Sequence, residues 1–177
     1  MIALCYTARV APKKTRGIQG PEPGPLRPPM SRAFLLAQIG AHAAARFAER
    51  MAALDLQPQH AGVLRLIASA PAGISQRRLG EQLGVFPSRM VALLDDLENR
   101  GLVERRDDPA DRRSYTVHFT ERGQQALRDI GKVAREHDEA ICAGLGAQER
   151  EQLTTLLTRI AAQQGLTPGV HPGFRRL

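Results

Sequence analysis

The spacing of apolar residues along the chain predicts a mainly helical protein. Between Ser31 and residue 56 they recur near the helical period over about 25 positions, which predicts a long amphipathic helix. Similar spacing predicts five more helices: the second opens at Pro58 and closes at 71–73, the third lies between Ser75 and Gly84, the fourth between Pro87 and Gly101, the fifth follows Thr120, and the sixth carries Leu153 to Ile160.

Two short strands separate the fourth helix from the fifth. Leu102 and Val103 form the first strand, and Tyr115, Val117 and Phe119 alternate with polar residues in the second. The polar sequence DDPADRR connects them as a turn. A short helix, a turn, a second helix and then a hairpin form the order of a winged helix-turn-helix. The predicted fold class is therefore mainly α with a small β-hairpin wing.

The net charge of +7 is concentrated at the two ends of the chain. Residues 1–29 carry five basic residues against one acidic residue, and the tail from residue 166 adds two arginines, which leaves the body close to neutral. Net charge alone is therefore weak evidence for a nucleic-acid partner, and the positions of the individual charges are more informative.

The fourth helix has the surface that a major-groove reader needs. Its apolar residues face the core and leave Ser88, Val91, Ala92 and Asp95 on the opposite side, with Arg89 at the edge. Small side chains let a helix sit deep in the groove, and serine or arginine can contact bases or phosphates. Ser88 and Arg89 are therefore candidate DNA contacts.

The third helix begins with a polar and basic run. Gln76, Arg77 and Arg78 lie at its N-terminal end, where backbone N–H groups and guanidinium groups can act together on a phosphate. Such contacts would position the protein on DNA without reading its sequence. The alternative is that these are solvated surface residues, since surface charges are common.

The hairpin concentrates arginines where a wing can reach the minor groove. Arg105 and Arg106 precede the turn, and Arg112 and Arg113 follow Asp111 within it. We expect Arg113, or else its neighbour Arg112, to enter the groove. Asp111 is expected to hold an arginine in a fixed orientation.

The region from 31 to 163 resembles the MarR family of winged-helix transcriptional regulators. The most specific matches are LGEQLGV at 79–85, LLDDLENRGLVERR at 93–106, the wing residues 111–113 and FTERG at 119–123. The resemblance implies a homodimer whose first, fifth and sixth helices interlock and whose paired lobes bind a pseudo-palindromic operator. It also implies repression that a small ligand or an oxidant relieves.

Dimerisation has a physical argument as well. The long terminal helices carry more apolar surface than one small winged lobe can cover, and twofold pairing would bury the remainder. We expect dimerisation segments at 30–56 and 121–165 around a DNA-binding lobe at 58–119, together forming a domain at 30–165. Residues 166–177 read as a Gly/Pro-rich tail.

The first 29 residues are expected to be a disordered, Pro-rich, basic arm. Six of the twelve prolines fall here, and the composition supplies no apolar face with a helical period. The alternative is that Met30 is the true start of the protein. The opening residues do not resemble a signal peptide, and no apolar run is long enough to span a membrane, so we expect a cytoplasmic protein.

The sequence contains no recognisable metal, cofactor or catalytic motif. Its two cysteines, Cys5 and Cys142, are too few for a disulfide framework, and its five histidines lack metal-binding spacing. We therefore expect no cofactor and no enzyme activity. The resemblance places an effector pocket between the dimerisation helices and the lobe, where His42, Arg46 and His60 are candidate lining residues. The alternative is that these are ordinary surface or interface groups.

The sequence leaves one rival class open. A winged-helix domain can serve as a protein-interaction module that does not bind DNA. The arginines on both the wing and the third helix argue against this reading, whereas the near-neutral body favours it.

Overall fold

The computed structural model describes residues 31–108, 111–167 and 170, and the side chains of residues 108 and 111–114 lie outside that description. The expected arm at 1–29 and most of the expected tail also lie outside it. The described chain forms α1 (Arg32–Ala52), α2 (Pro58–Ala68), β1 (Ile74–Ser75), α3 (Gln76–Leu83), α4 (Pro87–Asn99), β2 (Val103–Asp108), β3 (Asp111–Phe119), α5 (Glu121–Ile141) and α6 (Ala147–Gln163). The predicted mainly helical fold with a small wing is confirmed.

The core lies in the lobe formed by α2, α3, α4 and the sheet. Aliphatic side chains fill it, as the scarcity of aromatic residues requires. Its best-buried members, each at most 4% exposed, are Val63, Leu64, Ile67, Ile74, Leu79, Leu83, Met90, Leu94, Leu97, Val103 and Val117. α1 adds Met51 from its last turn, and α5 adds Ile130. The lobe thus has a closed hydrophobic core of its own.

The wing belongs to a three-stranded antiparallel sheet with the order β1-β3-β2. The sequence predicted only two strands, and the structure adds β1, which pairs Ile74 with Val117 and Ser75 with Thr116. On the other side of β3, Val103 pairs with Phe119 and Arg105 with Val117. β1 ties the start of α3 to the base of the wing.

Two glycines fix the path of the chain around α4 and α5. Gly84 ends α3 with φ +63°, a left-handed conformation that glycine adopts without steric cost. Gly123 lies against Leu102, the residue before β2, where a Cβ would approach the Leu102 carbonyl oxygen to 1.8 Å. The first glycine makes the turn between the two helices of the helix-turn-helix, and the second lets α5 pack closely on the lobe.

The terminal helices lack comparable cover. Met51 is the one buried residue of α1, and no residue of α6 is buried. The large apolar side chains that remain exposed on these two helices are Phe34, Leu36, Ile39, Leu156, Leu157 and Ile160. Val170, from the predicted tail, packs partly buried against the core. The chain therefore leaves the apolar faces of α1 and α6 open to solvent.

Candidate nucleic-acid interface

α3 and α4 form the helix-turn-helix. Ser75 caps α3 by accepting a 3.3 Å hydrogen bond from the N–H of Arg78, as its position in the sequence predicts. The N–H of Val85 donates to the carbonyl of Gly80 at 2.9 Å and closes the turn, and Pro87 starts α4. The two helices therefore keep a fixed relation to each other.

The outward face of α4 agrees with the sequence analysis. Ser88, Val91, Ala92 and Asp95 are exposed, whereas Arg89 is half-buried. The buried residues of the helix are Met90, Leu93, Leu94 and Leu97. The N-terminal half of α4 thus presents small side chains to solvent.

The start of α3 carries one tethered residue and two exposed arginines. Gln76 is half-buried, and its Oε1 accepts a 2.8 Å hydrogen bond from the hydroxyl of Tyr115 on β3. Arg77 is 89% exposed and pairs with Glu81 at 2.8 Å, and this hydrogen bond raises its pKa. Arg78 is exposed. The two arginines are exposed enough to meet a phosphate, and the DNA contacts of all three residues stay predictions.

Arg105 has an internal role that the sequence did not reveal. Its side chain is 21% exposed, and its guanidinium donates to Asp95 on α4 at 2.5 Å and also contacts Glu98. It lies over the ring of Tyr115, 5.3 Å from the centroid. Burial works to lower the pKa of Arg105, but the hydrogen bond to Asp95 and the charge of Glu98 outweigh it and raise the pKa. Arg105 therefore ties the wing to α4, and its predicted contact with DNA stays a prediction.

Arg106 is the other wing arginine whose side chain the structure describes. Arg106 is 60% exposed at its side chain and hydrogen-bonds Glu104 at 2.7 Å. Asp111, Arg112 and Arg113 belong to β3, but their side chains lie outside the described part of the structure. Their predicted roles in the groove stay predictions.

A polar network fixes the C-terminal half of α4. Asp96 accepts from Arg100 at 3.0 Å and lies 3.1 Å from Nε2 of His60 on α2. Arg100 also reaches Asp55, in the turn after α1, at 2.5 Å. The sequence pattern placed Asp95 on the outward face of the fourth helix and assigned no role to Asp96. In the fold both hold α4 against its neighbours.

His60 is buried, and each of its ring nitrogens has a polar partner. Its side chain is 2% exposed, and Nδ1 accepts a 3.2 Å hydrogen bond from the N–H of Gln57 while Nε2 faces Asp96. Burial lowers the pKa of His60 more than the charge of Asp96 raises it. The neutral ring therefore acts as a structural link, and a ligand contact through it stays a prediction.

Comparison with known proteins agrees with this geometry. The MarR family sequence model matches residues 54–114, the span from the end of α1 into the wing. The chain is 31% identical to the transcriptional repressor CouR in a structure bound to a 23-mer DNA duplex, with a TM-score of 0.66 and coverage of 74% of this chain and 92% of that one. The chain belongs to the MarR family. Proteins of the MarR family are transcriptional regulators, not enzymes.

Two further relatives define how far the likeness extends. A protein of Thauera aromatica, named as a transcriptional regulatory protein for the hcr operon, is 38% identical over 107 residues, which are 60% of this MarR-family chain and 64% of the relative. Apo MarR from E. coli shares the fold with a TM-score of 0.66 at 23% identity, covering 76% of this chain and 98% of that one. The chain thus spans somewhat less than two thirds of the T. aromatica relative.

The MarR-family lobe meets its terminal helices at an apolar cavity of about 430 Å³. Phe47 of α1, Pro58 and Arg65 of α2, Ile130 of α5 and Val170 are among the residues that line it. A cavity of this size and composition fits a small, mostly apolar molecule.

The structure does not bring the three predicted effector residues to this cavity. His42 is exposed on α1, Arg46 pairs with Glu49 at 2.6 Å, and His60 belongs to the network on α4. The sequence also gave no role to His137 of α5, whose ring lies 5.4 Å from that of Phe47, a residue that lines the cavity. Burial, and next the charge of Arg50, lower its pKa. An apolar cavity has no local signature because its walls come from three separate helices.

Two observations concern chemistry and membranes. In the described ranges, no cluster of three or more His, Cys, Asp or Glu side chains could hold a metal ion, and the Cys142 thiol is free and half-buried. Among the helices described, none combines the length and the apolar character needed to cross a membrane.

Proposed function

We propose that this MarR-family protein is a homodimeric repressor that binds a pseudo-palindromic operator. The observation that carries the proposal is the surface formed by the exposed Arg77 and Arg78, the small side chains of α4 and the wing. It combines cations that can meet phosphates with a helix that can enter the major groove. The CouR relative in its DNA complex supports the same use of this lobe.

In this proposal the residues divide into two groups. Ser88, Arg89, Arg112 and Arg113 read the grooves, while Arg77, Arg78 and Arg106 meet phosphates. Gln76 and Arg105 act differently, because Gln76 binds Tyr115 and Arg105 binds Asp95 and Glu98 within the lobe. Gln76 holds the wing against α3, and Arg105 holds it against α4.

The apolar faces of α1 and α6 support pairing with a second copy of the chain. Ile39 of α1 is 54% exposed and Leu156 of α6 is 53% exposed, which is unusual for large apolar residues that recur along one stripe. A twofold interface would cover both faces and set two α4 helices about one DNA turn apart. Dimerisation is therefore part of the mechanism and not an accessory to it.

We further propose that a small molecule controls the affinity for DNA from the cavity between α1, α2 and α5. The lining is mostly apolar, with Arg65 as the charged member among the residues described. An aromatic or aliphatic carboxylate matches this combination. Such a ligand would act by shifting the lobe relative to the terminal helices.

Salt dependence of DNA binding tests the central claim. An operator would first be enriched from a random duplex pool, and its Kd would then be measured from 50 to 300 mM salt for the wild type and for an Arg77→Ala, Arg78→Ala variant. Each lost phosphate contact should lower the slope of log K against log salt by about 0.9. Arg128→Ala, an exposed substitution on α5, is the matched control. No enrichment and no salt-dependent binding would favour the protein-interaction module instead.

A further inference from the structure

The ring of Phe86 is the most exposed large apolar side chain in the described part of the chain, at 82%. The large exposed apolar side chains, Phe86 included, fall into two groups. One group lies on or next to the terminal helices, where a second subunit would cover it. Phe86 belongs to the other group, with Val91 of α4 and Tyr115 of β3, at the proposed DNA surface. Dimerisation therefore does not explain why Phe86 is exposed.

The backbone around Phe86 is anchored on both sides. Val85 is 7% exposed, and Met90 is fully buried with its N–H donating to the carbonyl of Phe86 at 3.0 Å. Pro87 restricts the next φ angle. The chain thus holds the ring outside the core at the first turn of α4, without leaving the segment loose.

The surroundings of the ring favour DNA over another apolar surface. A groove of about 640 Å³ beside it is lined by Gln76, Arg77 and Glu81 of α3 and by Pro87. Arg77 is nearly fully exposed, so its ion pair with Glu81 can exchange for a phosphate. A ring flanked by an exposed guanidinium suits a polyanion that also offers an apolar group.

Among the bases, thymine offers such a group at the edge of the major groove. Its 5-methyl is the apolar feature that distinguishes it there from cytosine, and phenylalanine is one of the side chains that contact it. We propose that Phe86 is a specificity-determining residue that packs against a thymine methyl in each half-site. This inference rests on the proposed DNA binding and adds a base preference that the polar residues of α4 do not supply.

Replacement of thymine by deoxyuridine tests the contact because it removes only the methyl group. On the enriched operator, each thymine would be replaced in turn, symmetrically in both half-sites, and the Kd measured for the wild type and for Phe86→Ala. At one position we expect the wild type to lose about fourfold in affinity per half-site, the equivalent of one buried methyl group. Phe86→Ala should show a similar loss on the thymine duplex and no further loss on the uracil duplex.

Phe86→Leu is the matched variant, since it keeps an apolar side chain and should retain part of the discrimination. Thermal unfolding should be unchanged in both variants because the ring is outside the core. If Phe86→Ala weakens thymine and uracil duplexes equally, the methyl contact is refuted. If it binds like the wild type, Phe86 faces another partner, such as a protein, and the inference fails while the proposed function stands. Failure of the wild type to enrich any duplex would overturn both.

Discussion

The lobe and the terminal helices of this protein are built from similar amphipathic sequence but differ in how much of their apolar surface a single chain buries. The lobe covers its own apolar residues, so that Leu79 and Leu97 are fully buried. α1 and α6 show comparable stripes, yet Phe34 is 56% exposed and Leu157 is 40% exposed. Periodicity thus predicts which face of a helix is apolar. Whether that face is buried depends on a packing partner large enough to cover it.

Length explains the difference. At 1.5 Å per residue, α1 with 21 residues extends about 31 Å, roughly the diameter of a small domain. α3 with 8 residues extends about 12 Å and fits within the lobe. A long helix that crosses a small lobe at one end leaves most of its stripe uncovered.

The largest effect should come from a charge on the open face of α6. We expect Leu157→Asp to weaken dimerisation at least about 100-fold, because a carboxylate would have to be desolvated at the interface. Operator binding should fall with it. Sedimentation equilibrium measures the first effect and a gel-shift titration the second. Thr155→Asp, on the opposite side of the same helix, should remain dimeric, and a dimeric Leu157→Asp protein would contradict the proposed interface.

Removing a side chain from the core of the lobe should lower the free energy of unfolding whether or not the protein is dimeric. Leu97→Ala removes a fully buried side chain and should lower the free energy of unfolding by roughly 2–5 kcal/mol at any protein concentration. Urea unfolding at several protein concentrations measures this loss. Leu156→Ala is the control on α6, and its loss should appear only at concentrations at which the protein is dimeric. If both variants lose the same free energy of unfolding at low protein concentration, the apolar face of α6 is not buried by dimerisation and the contrast with the lobe is wrong.

Substitutions in the wing should weaken DNA binding without affecting the core of the lobe or the proposed dimer interface. We expect Arg113→Ala to weaken operator binding by roughly 1–3 kcal/mol and to leave the melting temperature and the dimer unchanged. Fluorescence anisotropy on the enriched operator measures the affinity, with Arg128→Ala as the control. If both Arg113→Ala and Arg112→Ala bind normally, the wing has no part in recognition.

The smallest effect concerns the pH dependence of stability. Burial lowers the pKa of His60 in the folded protein, so below its ordinary value near 6.5 the unfolded chain binds more protons than the folded chain. Stability should therefore fall as the pH drops below about 6.5, by less than about 1.4 kcal/mol per pH unit. Asp96, Arg100 and Asp55 surround the ring, and their charges modulate the shift.

Urea unfolding between pH 7.5 and 5.5 measures this effect, with His60→Gln beside the wild type. The variant should lose part of the pH dependence, and the remainder includes His137, whose pKa burial also lowers. His42→Gln, on the exposed surface of α1, is the control. A pH dependence of equal size in His60→Gln would show that His60 is not the source.

Much of the local structure could be predicted because its causes are local. Ser75 and Thr120 cap their helices within three residues, and Pro87 begins α4. β1 could not be predicted, since two residues carry no periodic signal and the strand exists only through its pairing with β3. The same holds for the bond from Tyr115 to Gln76, which joins residues 39 positions apart.

The roles of charged residues depended even more on the tertiary structure. In the sequence Arg105 looks like any other arginine of the wing, and Asp95 looks like a solvent-facing residue of the fourth helix. In the fold Arg105 meets Asp95, and Asp96 meets His60. A charged side chain can be solvated or can pair with another residue. Its role therefore depends on which groups the fold brings within a few ångströms of it.

The sequence by itself determined the order of the helices, the position of the wing and the presence of surplus apolar surface at both ends. These follow from periodicity, caps and turns, which act over a few residues. Only the tertiary structure decided which arginines are exposed, which carboxylates hold α4 and that Phe86 projects at the proposed DNA surface. Those outcomes depend on burial and on contacts between distant segments, and neither quantity is encoded at a single position of the chain.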